Sequence, residues 1–284
     1  MTKKIAVMIL HGAGTPNDNF AEEIIEHIRE RFKKRIGGQT DDDALVFEPV
    51  WWSKIFASEQ ERLWERVHVD TDLDYQRLRR FTVEFLADAI AYQPASVDDN
   101  NYDKVHELLA ETLSNLEEKA GRDAPLCVIS HSLGSVIASN YFYDLQLKQS
   151  NIGTRTWRRI KNTPLENGET LANFYTLGSP MALWSLRFGG FGLPIQVPAP
   201  SMDRHYQGVK GEWLNFYDKD DILAYPLKNL NEQYNEVVTA DIQVNAGGVF
   251  TSWNPLSHQK YDEDYEVIDK MVNGLVRTWH EINS

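Results

Sequence analysis

The stretch Leu126-Cys127-Val128-Ile129-Ser130-His131-Ser132-Leu133-Gly134-Ser135-Val136-Ile137-Ala138 decides how this chain folds. Leu126 to Ile129 is an apolar run of strand type, small polar residues interrupt it, and apolar residues then resume at once as a helix. A strand that turns sharply into a helix displays whatever sits at the corner, and here that residue is Ser132. In the G-x-S-x-G form of this turn, the flanking glycines let the helix approach the strand closely. The frame here is Ser130-x-Ser132-x-Gly134, with serine in place of the first glycine. Serine is small enough to keep the approach. Taken alone, the segment also fits a serine in an ordinary strand-to-helix loop.

Outward from this corner the chain alternates. Ile5 to Leu10 is a continuous apolar run ending in His11-Gly12-Ala13-Gly14, as expected of a strand buried on both faces that feeds a tight turn. Phe20, Ile24, Ile25, Ile28, Phe32 and Ile36 recur at helical spacing before Gly37-Gly38, and Ala44 to Trp52 reads as a second strand. The distance from there to the Ser132 strand far exceeds one crossover helix, so residues 53–120 are expected to hold a helical insertion, with periodicity in Phe56–Val67, Leu73–Ile90 and Val105–Leu116. Beyond Leu147, the basic stretch Lys148–Lys161 reads as a solvated connection tethered by Trp157. Leu171–Leu177, Glu212–Tyr217 and Glu236–Val244 read as further strands, and Tyr265 to Trp279 carries one apolar helical face. Strands alternating with helices imply a mostly parallel sheet covered on both sides. Residues 178–211 are rich in glycine and proline yet include Trp184, Phe188, Phe191 and Leu193, which fits either a cap over an apolar pocket or a packed loop.

Composition narrows the function classes. The 284 residues carry a formal charge of −13, which disfavours polyanionic partners such as nucleic acid and anionic lipid. The single cysteine, Cys127, lies inside an apolar strand, so no internal disulfide can form and a reducing, cytoplasmic setting is expected. No apolar run approaches the roughly 18 residues of a membrane span, so no stable membrane anchor is expected. Neither a metal motif nor a dinucleotide fingerprint is present. The G-x-G-x-x-G spacing fails at Asn17, and Asp41-Asp42-Asp43 and Asp98-Asp99 read as solvated loop charges.

A serine hydroxyl needs a base within hydrogen-bond reach and a group that orients the base. In open parallel sheets such groups collect at the carboxyl ends of strands. Past Tyr217 the chain reads Asp218-Lys219-Asp220-Asp221, offering three candidate acids. Past Val244 it reaches Gly247-Gly248 and then Ser257-His258, just ahead of the last helix.

With these pieces in place, the chain resembles the α/β-hydrolase fold serine hydrolases of the lipase and esterase type. The resemblance rests on the His11-Gly12-Ala13-Gly14 turn, the Ser132 corner, Thr176-Leu177-Gly178-Ser179-Pro180, the Asp-Ile-Leu-Ala acid loop and Ser257-His258. It implies Ser132 as nucleophile, His258 as base and Asp221 as the orienting acid, with Asp218 and Asp220 as fallbacks. His27 and His106 fall in helices, His68 in the insertion, and His205 in the cap, while His131 should be turned away from Ser132. It further implies an oxyanion hole from the N–H of Ala13, or of Gly12, together with that of Leu133, each such donor contributing about 3 kcal/mol to transition-state stabilisation. The two leading strands of larger members should be lacking, leaving about six strands in the order 2-1-3-4-5-6. The implied activity is cofactor-free cleavage of a carboxylic ester or thioester with an apolar group. A catalytically silent binding scaffold, or an interfacial lipase using Trp51-Trp52 and the cap, would be the alternatives.

Overall fold

A computed structural model describes residues 2–14, 16–38, 43–68, 76–94, 100–246, 258 and 260–284. Six strands form one sheet: β1 (Ile5–Leu10), β2 (Leu45–Val50), β3 (Leu126–His131), β4 (Leu171–Leu177), β5 (Glu212–Asp218) and β6 (Ala240–Val244). Their spatial order is β2-β1-β3-β4-β5-β6, and every neighbouring pair is parallel. This is the α/β architecture and the strand order that the sequence implied. The helices are α1 (Glu22–Arg35), α2 (Ala57–His68), α3 (Gln76–Ala91), α4 (Asn101–Ala120), α5 (Leu133–Leu147), α6 (Thr154–Arg159), α7 (Met181–Trp184), α8 (Met202–His205), α9 (Glu232–Val237) and α10 (Tyr265–Asn283).

β1 explains why its sequence is apolar without alternation. Ala6, Met8 and Leu10 pack into the core shared with α4 and α5, whereas Ile5, Val7 and Ile9 pack into the core shared with α1 and α10. Each fully buried side chain of this size adds about 1.5–3 kcal/mol, so a polar residue at any of the six would be costly. α4 lies against β1 and β2, starting at Asn100, whose side chain accepts the Asp103 N–H, and ending at Gly121. α2 and α3 pack on each other.

Two local expectations are corrected. Lys148–Lys161 is not merely a solvated connection, because α6 forms there on α4: the Asp103 carboxylate accepts the N–H groups of Arg155 and Thr156 and the Thr156 hydroxyl. Thr156 is the buried anchor, whereas Trp157 is 45% exposed. The strand read as Glu236–Val244 begins only at Ala240, because Asn231 accepts the Tyr234 N–H and starts α9 over the preceding residues. Residues 178–211 fall into short turns. Leu186 and Leu193 are 70% and 55% exposed, whereas Ile195, Val197 and Met202 are buried.

Candidate active site

At the end of β3 the backbone turns into α5 through Ser132, which has φ 49° and ψ −126°. Only Asn162 and Phe191 share a positive φ among the described residues other than glycine. Such a conformation costs about 1–3 kcal/mol and persists only where its surroundings impose it. They do so here. The Ser132 N–H donates to the Leu177 carbonyl at 2.8 Å, and the Ser135 hydroxyl donates to the Ser132 carbonyl at 2.6 Å. Ser130, standing where glycine was expected, is buried and donates its hydroxyl to the Tyr175 carbonyl at 3.2 Å. Gly134 cannot be replaced so easily: a Cβ there would lie 2.3 Å from the His11 carbonyl oxygen. On the facing side, a Cβ on Gly12 would lie 2.9 Å from both His131 Nδ1 and Ser132 Cβ. The turn after β1 and the turn after β3 thus touch through two glycines.

Ser132, His258 and Asp221 meet at the carboxyl edge of the sheet. His258 Nε2 is 2.6 Å from Ser132 Oγ, and its Nδ1 is 2.7 Å from Asp221 Oδ2. All three residues are at most 5% exposed. Asp221 also accepts the Tyr261 hydroxyl on Oδ2 at 2.8 Å and the Leu223 N–H on Oδ1 at 3.0 Å. Burial alone would raise the Asp221 carboxyl, but the His258 bond and charge, with the Leu223 and Tyr261 bonds, outweigh it and hold the group below its ordinary value. Burial, then the Asp221 charge, raises the Tyr261 phenol, so it stays protonated and donates.

The Asp218 carboxylate, by contrast, serves the backbone. Asp218 accepts the N–H groups of Asp220 at 2.9 Å and Ala246 at 2.8 Å, and Asp220 is half-buried with its N–H in that bond. Of the other described histidines, His11 and His131 adjoin Ser132, whereas His27, His106 and His205 make their contacts elsewhere. His27 faces Glu23, His106 is enclosed by Tyr92 and Tyr102, and His205 contacts Glu169. His131 packs on the His258 ring, with centroids 5.0 Å apart, and its Nε2 donates to the His258 carbonyl at 2.6 Å. Burial lowers the His131 pKa to about 3, which keeps that ring neutral. The His68 side chain and Ser257, Gly247, Gly248, Asp41, Asp42, Asp98 and Asp99 lie outside the described residues.

The His11–Gly14 turn is held by two residues, Trp52 and Asp88. His11 stacks on Trp52 at 4.8 Å, the Trp52 indole N–H donates to the His11 carbonyl at 2.9 Å, and the Gly14 N–H donates to Asp88 Oδ2 at 2.8 Å. Asp88 belongs to α3, is fully buried, and also accepts the Gln60 amide from α2. α3 therefore reaches the turn directly, and α2 reaches it through Asp88. Leu133 opens α5, where helix geometry leaves the first N–H groups without intrahelical partners. Sequence reading assigned no role to Tyr261, Asp88 or Trp52 at this turn, and no local spacing pointed to them. Trp52 is fully buried, which removes it from any exposed Trp51-Trp52 patch.

A cavity of about 380 Å³ opens beside Ser132 and His258. Its walls are mostly apolar, including Phe20, Ile24, Phe85, Ile129 and Leu177, and the Gly12–Gly14 turn forms one side. Among the described residues, no group of three or more His, Cys, Asp or Glu is arranged to hold a metal ion. Among them, too, no helix is long and apolar enough to cross a membrane.

No family model matches the chain, and no curated protein matches it in sequence. Solved structures are similar in shape. One is of fungal esterases from Rhizomucor miehei, with TM-score 0.43 and 11% identity over 99% of this chain and 76% of that one. Another is lipase B of Aspergillus fumigatus, with TM-score 0.37 and 12% identity over 98% of this chain and 63% of that one.

Proposed function

We propose that the protein is a serine hydrolase that cleaves a carboxylic ester, or a thioester, through an acyl-enzyme. The observation that carries this reading is the hydrogen-bonded series Asp221–His258–Ser132, with contacts of 2.7 and 2.6 Å, at a cavity mouth. His258 takes the Ser132 proton as Oγ attacks the substrate carbonyl, and Asp221 holds the imidazole with Nδ1–H toward its carboxylate. The tetrahedral oxyanion is received by the backbone N–H of Leu133 with that of Ala13 or Gly12. His258 then protonates the departing alcohol or thiol, and water, deprotonated in turn by His258, releases the acid and restores Ser132. Gly14 is not a donor in this scheme, because its N–H is already bound to Asp88. The scheme uses no cofactor, and the apolar cavity suits an apolar acyl or alcohol group.

The charge of −13 and the buried Cys127 support a soluble cytoplasmic enzyme as part of this reading. A second reading, an interfacial lipase, draws on the exposed Leu183, Leu186, Phe188, Phe191 and Leu193. Flotation with neutral phosphatidylcholine liposomes separates the two. The deciding experiment is labelling with a fluorophosphonate probe. The intact protein should be labelled and Ser132→Ala should not, while circular dichroism of the two remains the same. Labelling that survives the substitution assigns the nucleophile elsewhere.

A further inference from the structure

Resting on the hydrolase reading, the cavity beside Ser132 also carries a statement about substrate charge. Apart from Ser132 and His258, its polar lining residues are His11, His131 and Asp262, and no lysine or arginine lines it among the described residues. All three can present lone pairs. His11 Nδ1 lies 2.6 Å from the Gly12 carbonyl and must donate to it, which leaves Nε2 as an acceptor. That Nε2 is buried and without a hydrogen-bond partner among the described residues, on a side chain only 7% exposed. His131 donates through Nε2 to the His258 carbonyl, so its Nδ1 is likewise an acceptor. Asp262 has no cationic partner among the described residues, and the charges acting on it, Glu263 and Glu23, have the same sign as its own. Burial, aided by those two and opposed by hydrogen bonds from the Asp262 and Glu263 N–H groups, raises its carboxyl to about 6, still below neutral pH. Burial likewise lowers His11 to about 4, so its ring is neutral there.

A pocket that offers acceptors and a carboxylate, with apolar walls between, repels anionic groups and leaves its own lone pairs unmet by a purely hydrocarbon arm. A primary ammonium group supplies both the charge and several N–H donors. We propose that the preferred substrates are esters whose apolar arm ends in a primary ammonium, received by Asp262. Asp262 is then the specificity-determining residue, distinct from the groups that perform acyl transfer.

The test uses matched esters on the full chain. On the acyl side, 4-nitrophenyl 6-aminohexanoate is compared with 4-nitrophenyl heptanoate and with the 4-nitrophenyl monoester of adipic acid. On the alcohol side, 5-aminopentyl acetate is compared with hexyl acetate. In at least one series kcat/KM should favour the ammonium ester over its methyl isostere by about tenfold or more, with the carboxylate ester poorest. Asp262→Asn should collapse that ratio, chiefly through KM of the ammonium ester. No ammonium preference in either series, or a ratio that survives Asp262→Asn, overturns the proposal. Should neither fluorophosphonate labelling nor any hydrolysis be detected, the hydrolase reading has failed, and calorimetry still tests the pocket. Hexylammonium binding more tightly than 1-hexanol, with the difference lost in Asp262→Asn, supports the charge assignment, and equal binding overturns it.

Discussion

Two histidines among the described residues, His258 and His106, sit between a hydroxyl and a carboxylate, in very different surroundings. His258 reaches Ser132 Oγ at 2.6 Å and Asp221 Oδ2 at 2.7 Å. His106 reaches the Tyr92 hydroxyl at 2.9 Å with one nitrogen, while the other lies 3.9 Å from Asp144 Oδ2. The difference lies in what each carboxylate does and where each ring is placed. Asp144 is occupied by the Tyr102 hydroxyl at 2.8 Å and by the Asn151 amide, so it does not orient His106 at hydrogen-bond distance. The His106 ring is 1% exposed among Tyr92, Tyr102 and Tyr141, and burial lowers its pKa to about 3. His258 stands at a strand edge, facing a cavity and a serine held at positive φ. A histidine with polar neighbours is thus no sufficient sign of a site. The close carboxylate, the strained hydroxyl and the open wall must coincide.

The contrast can be broken most severely at Ser132. Ser132→Ala should reduce kcat/KM for a reactive aryl ester by a factor on the order of 10⁶, measured by stopped-flow hydrolysis. Asp221→Asn keeps the shape but removes the charge that orients His258. A loss of roughly 10³- to 10⁴-fold in kcat is expected, with circular dichroism unchanged. Asp88→Ala tests whether the Gly14 N–H bond positions the turn. The result should be a fall in kcat of about tenfold with little change in KM, since the reacting groups stay and only their alignment loosens.

At His106 the expected effects reverse. His106→Gln should cost about 1–3 kcal/mol of stability in urea unfolding, by leaving the Tyr92 hydroxyl poorly paired, while the rate of fluorophosphonate labelling stays that of the parent. Acid sharpens the same point. His11 and His106 titrate in the fold at about 4 and 3, below their ordinary 6.5, because burial resists the charge. Below pH 6.5 the unfolded chain therefore binds protons that the fold refuses, and stability falls as pH drops from 6.5 toward 3. Asp262, raised to about 6, acts in the opposite sense between 6 and 3.8 and offsets part of this loss. The urea midpoint at pH 5 should lie below that at pH 7.5, and His106→Gln should narrow the gap.

The sheet was legible because strands buried on both faces leave unbroken apolar runs, as in Ile5–Leu10 and Leu171–Leu177. Ser132, Asp221 and His258 could be picked out because each follows a strand end, in a chain order that a resemblance supplies. Sequence alone left three aspartates open. What distinguishes them is that Asp218 is engaged by Asp220 and Ala246, a contact across 28 residues that no local pattern records. Tyr261, only three residues past His258, was illegible for the same reason: its role depends on which carboxylate its hydroxyl meets in space. α6 escaped notice because Thr154–Arg159 has no apolar periodicity and owes its start to Asp103 on another helix.

The meeting of Gly12 with Gly134 has a consequence for descent and for grafting. Each glycine is the space into which the other's turn fits, His11 against one and Ser132 with His131 against the other. Segments some 120 positions apart along the chain must therefore travel as a pair. A transplant of the serine corner without its mate from the amino-terminal turn would bring Ser132 into a sheet that has no room to receive it.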